Sequence, residues 1–437
     1  MTSAPADAPP ARDRVLLDLS PLTTNKAFRR LWLGTAVASI GEQMTVMTVG
    51  LQVYALTGST FAVAMVAGTA LIPMMFVGLY AGTLADRLDR RRLALGCTIV
   101  SWLSIGGITA HASLGGDLLW LLYGLTLINS VAGTAGNITR RAIVPRLLPR
   151  HLLPAAGALN GINLGIMTTV GPLLAAAAVT TGGFTLAYWV DLVLHTAAFL
   201  GIYSLPAILP DHKPIKNAMH TFKEGIAFLA SAANTRFALL LDLVAMTLAQ
   251  PRVLFPALGA SVLGGGATTV GVLTAGSAAG TILSGIFSGR LGKVRYHGRA
   301  IVRSTHAYAF AMAAAGAVLL GYGLLPDPGE IARPVTIGVL TLVLVLTGVT
   351  DNIATIFRMT MLQSAVPDHL RGRVQGVFST VVQGGPRLGG VLTGAVATAT
   401  AAWSPLLFGG LTMTLLIWLL ARGNHTFHAY DGENPTP

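Results

Sequence analysis

Of 437 residues, 53% are hydrophobic and 11% charged, and the mean hydropathy is +0.67; this balance excludes a water-soluble globular domain and indicates a polytopic membrane protein. The formal charge of +12 does not indicate nucleic acid as a partner, because the basic residues fall in short clusters between apolar runs rather than on one polar face. Cys97, the single cysteine, lies in an apolar run, which rules out an intrachain disulfide and a cysteine metal cluster.

Residues 1–27 contain Pro, Ala and Asp but no short apolar core with a small-residue cleavage site, so no secretory signal peptide is expected. A membrane helix takes about 20 apolar residues. Twelve runs qualify, at 29–56, 60–84, 93–112, 118–143, 155–180, 184–205, 236–262, 269–291, 300–322, 335–365, 374–399 and 403–421. Arginines and lysines concentrate in the even-numbered connections, as at Arg87 to Arg92 and at Arg140, Arg141, Arg146 and Arg150, whereas Arg333 is the exception in the odd-numbered ones. With Lys26, Arg29 and Arg30 in front and Arg422 behind, this asymmetry predicts that both termini are cytoplasmic in a cell (inner or plasma) membrane protein.

The connection 206–235 is longer than the others and carries Pro206, Pro210 and Pro214, so it predicts a cytoplasmic linker. It separates bundles at 29–205 and 236–421, flanked by tails at 1–28 and 422–437. The halves echo each other in order. Gly82-Thr-Leu-Ala-Asp86-Arg87 has a weaker copy from Gly285 to Lys293, Pro149-Arg-His151 matches Pro367-Asp-His369, and Gly171-Pro172 matches Gly385-Pro386. Such echoes predict a duplicated six-helix unit, an arrangement used by secondary transporters.

After the second run, Gly78, Gly82 and Asp86 stand four apart on one helix face, followed by Arg87, Arg90, Arg91 and Arg92. Glycines at that spacing let membrane helices approach closely. A positive-inside loop accounts for the arginines but not for Asp86 beneath the glycine face.

On these features the chain resembles the major facilitator superfamily over nearly its whole length. That superfamily's Gly-x-x-x-Asp-Arg-x-Gly-Arg-Arg loop is matched by Gly82, Asp86, Arg87, Arg90 and Arg91, and departs at Asp89. Ser39-Ile-Gly41-Glu42, Ala85 to Arg92 and Arg371-Gly372-Arg373-Val374 look most like the type-3 drug:proton antiporters, which include enterobactin-like siderophore exporters. The resemblance implies an all-α membrane protein, with twelve transmembrane helices in two pseudo-symmetric six-helix bundles and a cavity lined by helices 1, 4, 7 and 10. It also implies a latch in which Asp86 meets the N-terminus of helix 11 and Arg87 and Arg90 tie to neighbouring acids. The exporters' Gly-Pro-x-x-Gly-Gly pattern is incomplete on helix 5, where Ala175 and Ala176 follow Gly171 and Pro172, and complete on helix 11 at Gly385, Pro386, Gly389 and Gly390. Close helix packing, which Gly157, Gly161 and Gly165 are expected to serve too, is the alternative reason for these glycines. At the helix 4 position where many relatives carry arginine stands Asn129.

Ionisable residues inside the membrane cost at least about 2.5–3.5 kcal/mol and mark pathways or buried pairs. The candidates are Glu42, Asp191, His195, Asp242, Arg252, Asp351, Arg358 and Arg387, with Asn129 and Asn137 as polar residues of helix 4. At 1.5 Å per residue, Asp242 and Arg358 share a depth of roughly 10 Å, and Arg252 and Asp351 one of roughly 20–25 Å, which predicts two ion pairs between helices 7 and 10. Glu42 is then left without an evident partner in its own half. Unless Arg387 or cavity water satisfies it, Glu42 is the leading proton or cation site, while Asp191 and His195, four apart, form either a relay or a structural pair.

No nucleotide-binding loop is present, and no extramembrane segment exceeds about 30 residues, too few to bury a catalytic core. An enzyme is therefore not expected, and neither cofactor nor metal is implied. The expected function is proton-coupled antiport, exporting a small amphipathic compound (drug, antibiotic or siderophore) by alternating access, as a monomer in the lipid bilayer. A metabolite or sugar importer, a channel, and a non-transporting sensor or assembly partner are the alternatives.

Overall fold

The computed structural model describes residues 19–71, 73–74, 76–77, 80, 84, 88–149, 152–208, 218–286, 294–326, 330–432 and 434. The described chain is helical, with one isolated bridge pairing Tyr296 and Asp431. Its principal helices are α1 (Lys26–Thr57), α2 (Thr60–Gly68), α3 (Arg90–Ser113), α4 (Leu119–Leu147), α5 (153–181), α6 (184–203), α7 (Ala233–Leu248), α8 (Gly266–Ile286), α9 (His297–Gly323), α10 (Ala332–Ala365), α11 (Asp368–Ala399) and α12 (Ser404–Arg422). Helices α5 and α6 are the legs of one stretch, Leu153–Tyr203, turned at Gly182 and Gly183, where Gly183 takes φ 71° and needs the freedom of a residue without Cβ.

Among the described residues, eight stretches are long and apolar enough to span a membrane by themselves. α1 and α11 have the length but not the apolarity, because α1 holds Glu42, Gln43 and Gln52 and α11 holds Gln375, Gln383 and Arg387. Such polar residues suit helices that face the interior rather than lipid. The start of α1 is fixed by Asn25, whose side chain accepts from the N–H groups of Ala27 and Phe28 and donates to the Leu147 carbonyl at 2.6 Å, where α4 ends.

The run expected as one helix over 236–262 is broken. α7 stops at Leu248, Ala249 and Gln250 are extended, and Pro251–Leu254 forms a 3₁₀ turn. Pro251 has no N–H to donate and biases Gln250 away from the helical region, so the break is local chemistry. A second departure lies in the expected linker, 206–235, which contains a helix, Ala218–Ser231. It docks on α11 through Glu224, 2.7 Å from Arg373, and through Gly225, where a Cβ would fall 2.7 Å from the Arg373 carbonyl oxygen.

Within the first half, α1 packs on α5 and α6, and α3 on α4; within the second, α9 packs on α10 and α12, and α8 on α10. Among the described residues the halves meet chiefly along two seams, α2 with α11 and α5 with α8. In the first, Thr60 donates to the Gly394 carbonyl at 3.0 Å, its hydroxyl lies 2.8 Å from that of Thr398, and a Cβ on Gly394 would fall 2.7 Å from Ala64. In the second, a Cβ on Gly271 would stand 2.9 Å from that of Ala176. Tyr54 and Ser261 add a hydroxyl pair at 2.9 Å. Thr60 begins α2 and Thr398 is near the end of α11, so this closure lies at the end of the molecule opposite the start of α1 and the end of α12.

Candidate transport pathway

Among the described residues, two of the cavities between these helices carry candidate site residues. The first, about 280 Å³, is enclosed by α1, α4, α5 and α6, reaches toward the terminus end at Phe28 and Val144, and presents Glu42, Asn137, Arg140, Asn163 and His195. The second, about 390 Å³, lies between the halves. It is mostly apolar, with Gln43, Gln250, Arg252 and Arg387 as its principal polar side chains. Gln43 of α1 lines both.

Glu42 stands on α1 opposite Gly133 of α4, where a Cβ would fall 3.5 Å from its Oε1. The expectation that it has no partner in its own half is corrected, since Arg140 lines the same cavity and acts on it electrostatically. Arg387 does not line that cavity, so it is not Glu42's counter-charge there. Sequence reasoning assigned Arg140 to a topogenic loop, but α4 continues to Leu147 and carries it about 10 Å inside the helix end. Gly133, Asn137 and Arg140, at spacings of four and three, were the available signal.

Asp191 of α6 is fully buried and accepts a short hydrogen bond from the Thr45 hydroxyl of α1. It faces Gly41, where any Cβ would collide with its carboxylate. Asp191 and His195 therefore share a helix face without bonding to each other. His195 is 7% exposed and lines the first cavity, and neither ring nitrogen has a hydrogen-bond partner among the described residues. Asn129, expected in the cavity, instead accepts from Ser101 of α3; Asn137 does line the cavity and accepts from Arg140 at 3.0 Å.

In the second half, Arg358 lies 2.5 Å from Asp242 and both are buried, as the shared depth predicted. The second predicted pair is absent. Asp351 is 3.9 Å from Arg358 instead, and its side chain is 51% exposed. Arg252 acts on Asp351 only through space. The break at Pro251 is the reason, because depth counted along an unbroken helix does not apply beyond it. Arg387 donates from Nη1 to the Gln383 carbonyl of its own helix at 2.5 Å and opens on the second cavity.

The glycine-proline motifs occupy matching places in the two halves. A Cβ on Gly171 would fall 2.6 Å from the Gln43 Cβ of α1, and one on Gly389, four residues past the matching Gly385, would collide with the Met246 carbonyl of α7. Gly385 similarly faces Met246 at 3.1 Å, Gly390 has open space, and Pro172, Pro386 and Gly390 line the second cavity. Gly157 and Gly161 meet nothing within 4 Å, contrary to a packing role, and Gly165 makes only ordinary contact with Ile282.

Gly82, Asp86 and Arg87 lie outside the described residues. Arg90 donates to the Ala142 carbonyl at 3.0 Å, and Arg91 donates to the Tyr203 carbonyl at 2.8 Å while its guanidinium lies over the Tyr203 ring. Asp89, which replaces the usual glycine, caps α3 by accepting from the Arg91 N–H and also accepts from the Ile208 N–H at 3.1 Å.

Residues 17–434 match the family model described as transmembrane secretion effector. Curated relatives named enterobactin exporter EntS include one from Shigella boydii serotype 18, 28% identical over 94% of this chain and 96% of its own, and one from Escherichia coli O1:K1, 29% identical over the same shares. Among solved structures, a point mutant of the nucleoside transporter NupG aligns with a TM-score of 0.69 at 15% identity, covering 90% of this chain and 98% of that one. A bacterial homologue of the iron transporter ferroportin, in an inward-facing state, aligns at 0.63 and 15%, covering 93% and 99%. These likenesses establish the major facilitator fold.

Proposed function

The chain belongs to the transmembrane secretion effector family of major facilitator transporters, and from that premise we propose that it is a secondary exporter coupling inward proton movement to outward movement of a small amphipathic compound. The relatives named as enterobactin exporters support a siderophore-like cargo. The two bundles, 29–205 and 236–421, rock about the cavity between them. With both termini cytoplasmic, the seam from Thr60 to Thr398 closes the outer side, and the first cavity faces the cytoplasm, which is an inward-facing state.

One observation carries the reading: Glu42 and the unpartnered imidazole of His195 share a cavity, and Gln43, next to Glu42, lines both that cavity and the inter-half chamber. Ionised Glu42 attracts Arg140 across the gap between α1 and α4 and repels Asp191 on the other side. A proton on Glu42 removes both forces, so the setting of α1 depends on protonation. α1 also touches the chamber, so the same helix senses proton and cargo. His195, on the wall of the same cavity, is a second group able to carry the proton.

Proteoliposomes with an imposed pH gradient test this. Wild-type protein should move cargo against its gradient, and Glu42→Gln should retain downhill exchange but lose gradient-driven accumulation. Unaltered pH-driven transport in Glu42→Gln would refute Glu42 as the coupling site.

A further inference from the structure

We propose that the chamber between the halves contains an anion-binding subsite formed by Arg252 and Arg387, so that the cargo is an amphipathic acid rather than a cation or a neutral compound. The inference rests on the transport reading and specifies its cargo. Both arginines line a chamber whose remaining wall is mostly apolar, and none of its lining residues is acidic. Each arginine has five N–H donors. Arg387 gives one to the Gln383 carbonyl, and neither arginine makes an ion pair among the described residues.

Among the described residues, the embedded acids are engaged elsewhere. Asp242 is in contact with Arg358, Asp191 accepts from Thr45, and Glu42 lines the other cavity with Arg140. Asp351 acts on Arg252 through space but sits 3.9 Å from Arg358 and does not line the chamber. Two cations on one mostly apolar chamber wall favour an anionic ligand, and a carboxylate, phenolate or sulfonate there accepts charge-assisted hydrogen bonds. The chamber volume of about 390 Å³ suits a ring system or two. Arg252 reaches this place because α7 ends before Pro251, and Arg387 because it directly follows Pro386 on the chamber wall.

The test uses the full-length protein in nanodiscs of zwitterionic lipid and three probes of one shape: 2-naphthoate, 2-naphthamide and 2-naphthylmethylammonium. Naphthoate should bind roughly tenfold or more tighter than the other two. Arg252→Gln and Arg387→Gln should each weaken naphthoate about tenfold and leave the amide unchanged, and the lysine variants should retain most of the preference. Equal affinity for the three probes, no binding of naphthoate, or arginine variants that bind it like the wild type would each overturn the subsite. Flux of the same probes in proteoliposomes separates the two readings. Acid-selective binding without protein-dependent flux would overturn transport and leave the subsite, whereas equal protein-dependent flux of acid and amide would overturn the subsite and leave transport.

Discussion

In the second half, Asp242 is buried against Arg358 at 2.5 Å, with Thr355 accepting from the same guanidinium at 2.9 Å and Asp351 beside it at 3.9 Å. In the first half, Glu42 faces Arg140 across a cavity without ion-pair contact, Asp191 rests on one hydroxyl, and His195 has none. The two arrangements occupy comparable places in a duplicated fold, so the difference lies in side chains rather than architecture. A contacting buried pair holds two helices in one setting, whereas separated groups on a cavity can exchange a proton and change their attraction. On the proposed coupling, the second half is the fixed frame and the first the titrating one.

The largest effect should follow from breaking the contacting pair. Arg358→Leu leaves Asp242 buried without a counter-charge and should destabilise the protein by about 3–5 kcal/mol, seen as a large drop in unfolding temperature in detergent. Joining it to Asp242→Asn should recover much of the loss. Equal stability of Arg358→Leu and wild type would erase the contrast between the halves.

Thr45→Val removes the hydroxyl that Asp191 accepts from, and should cost about 1–3 kcal/mol. The same melting measurement should place it between Arg358→Leu and wild type. Glu42→Gln, by contrast, changes a half-buried group that borders a cavity, and its melting temperature should stay close to wild type while gradient-driven transport is lost. A Glu42→Gln protein as unstable as Arg358→Leu would mark Glu42 as a structural ion.

The seam offers the finest discrimination. Gly394→Val places carbon against Ala64 and the Thr60 carbonyl, and should shift the distance distribution between spin labels at the outer ends of α1 and α11 toward separation. Gly390→Ala, which meets open space, should leave that distribution unchanged.

Much of the fold is legible along the chain. The spans follow from apolar length, the α5–α6 turn from Gly182 and Gly183, and the Asp242–Arg358 pair from matched depth on two helices unbroken at those positions. The failures share one cause. Depth counting supposes a straight rod, so it failed for Arg252 beyond Pro251. Charge counting supposes that a basic cluster near a span end lies outside, so it missed Arg140 on a helix that continues to Leu147. Residue spacing fixes a helical face but not what stands opposite, which is why Asn129 turned toward Ser101 and Asp191 toward Thr45 rather than His195.

By itself the sequence determined the membrane class, the duplicated helical plan and the identity of the embedded charges, because hydropathy, positive-residue asymmetry and internal echoes are written locally. Only the tertiary structure decided which charges touch, which face a cavity and which end of the molecule is closed. Those outcomes depend on helix rotation, breaks and the approach of glycine faces between distant segments. The energies that select them arise from pairs brought together by folding.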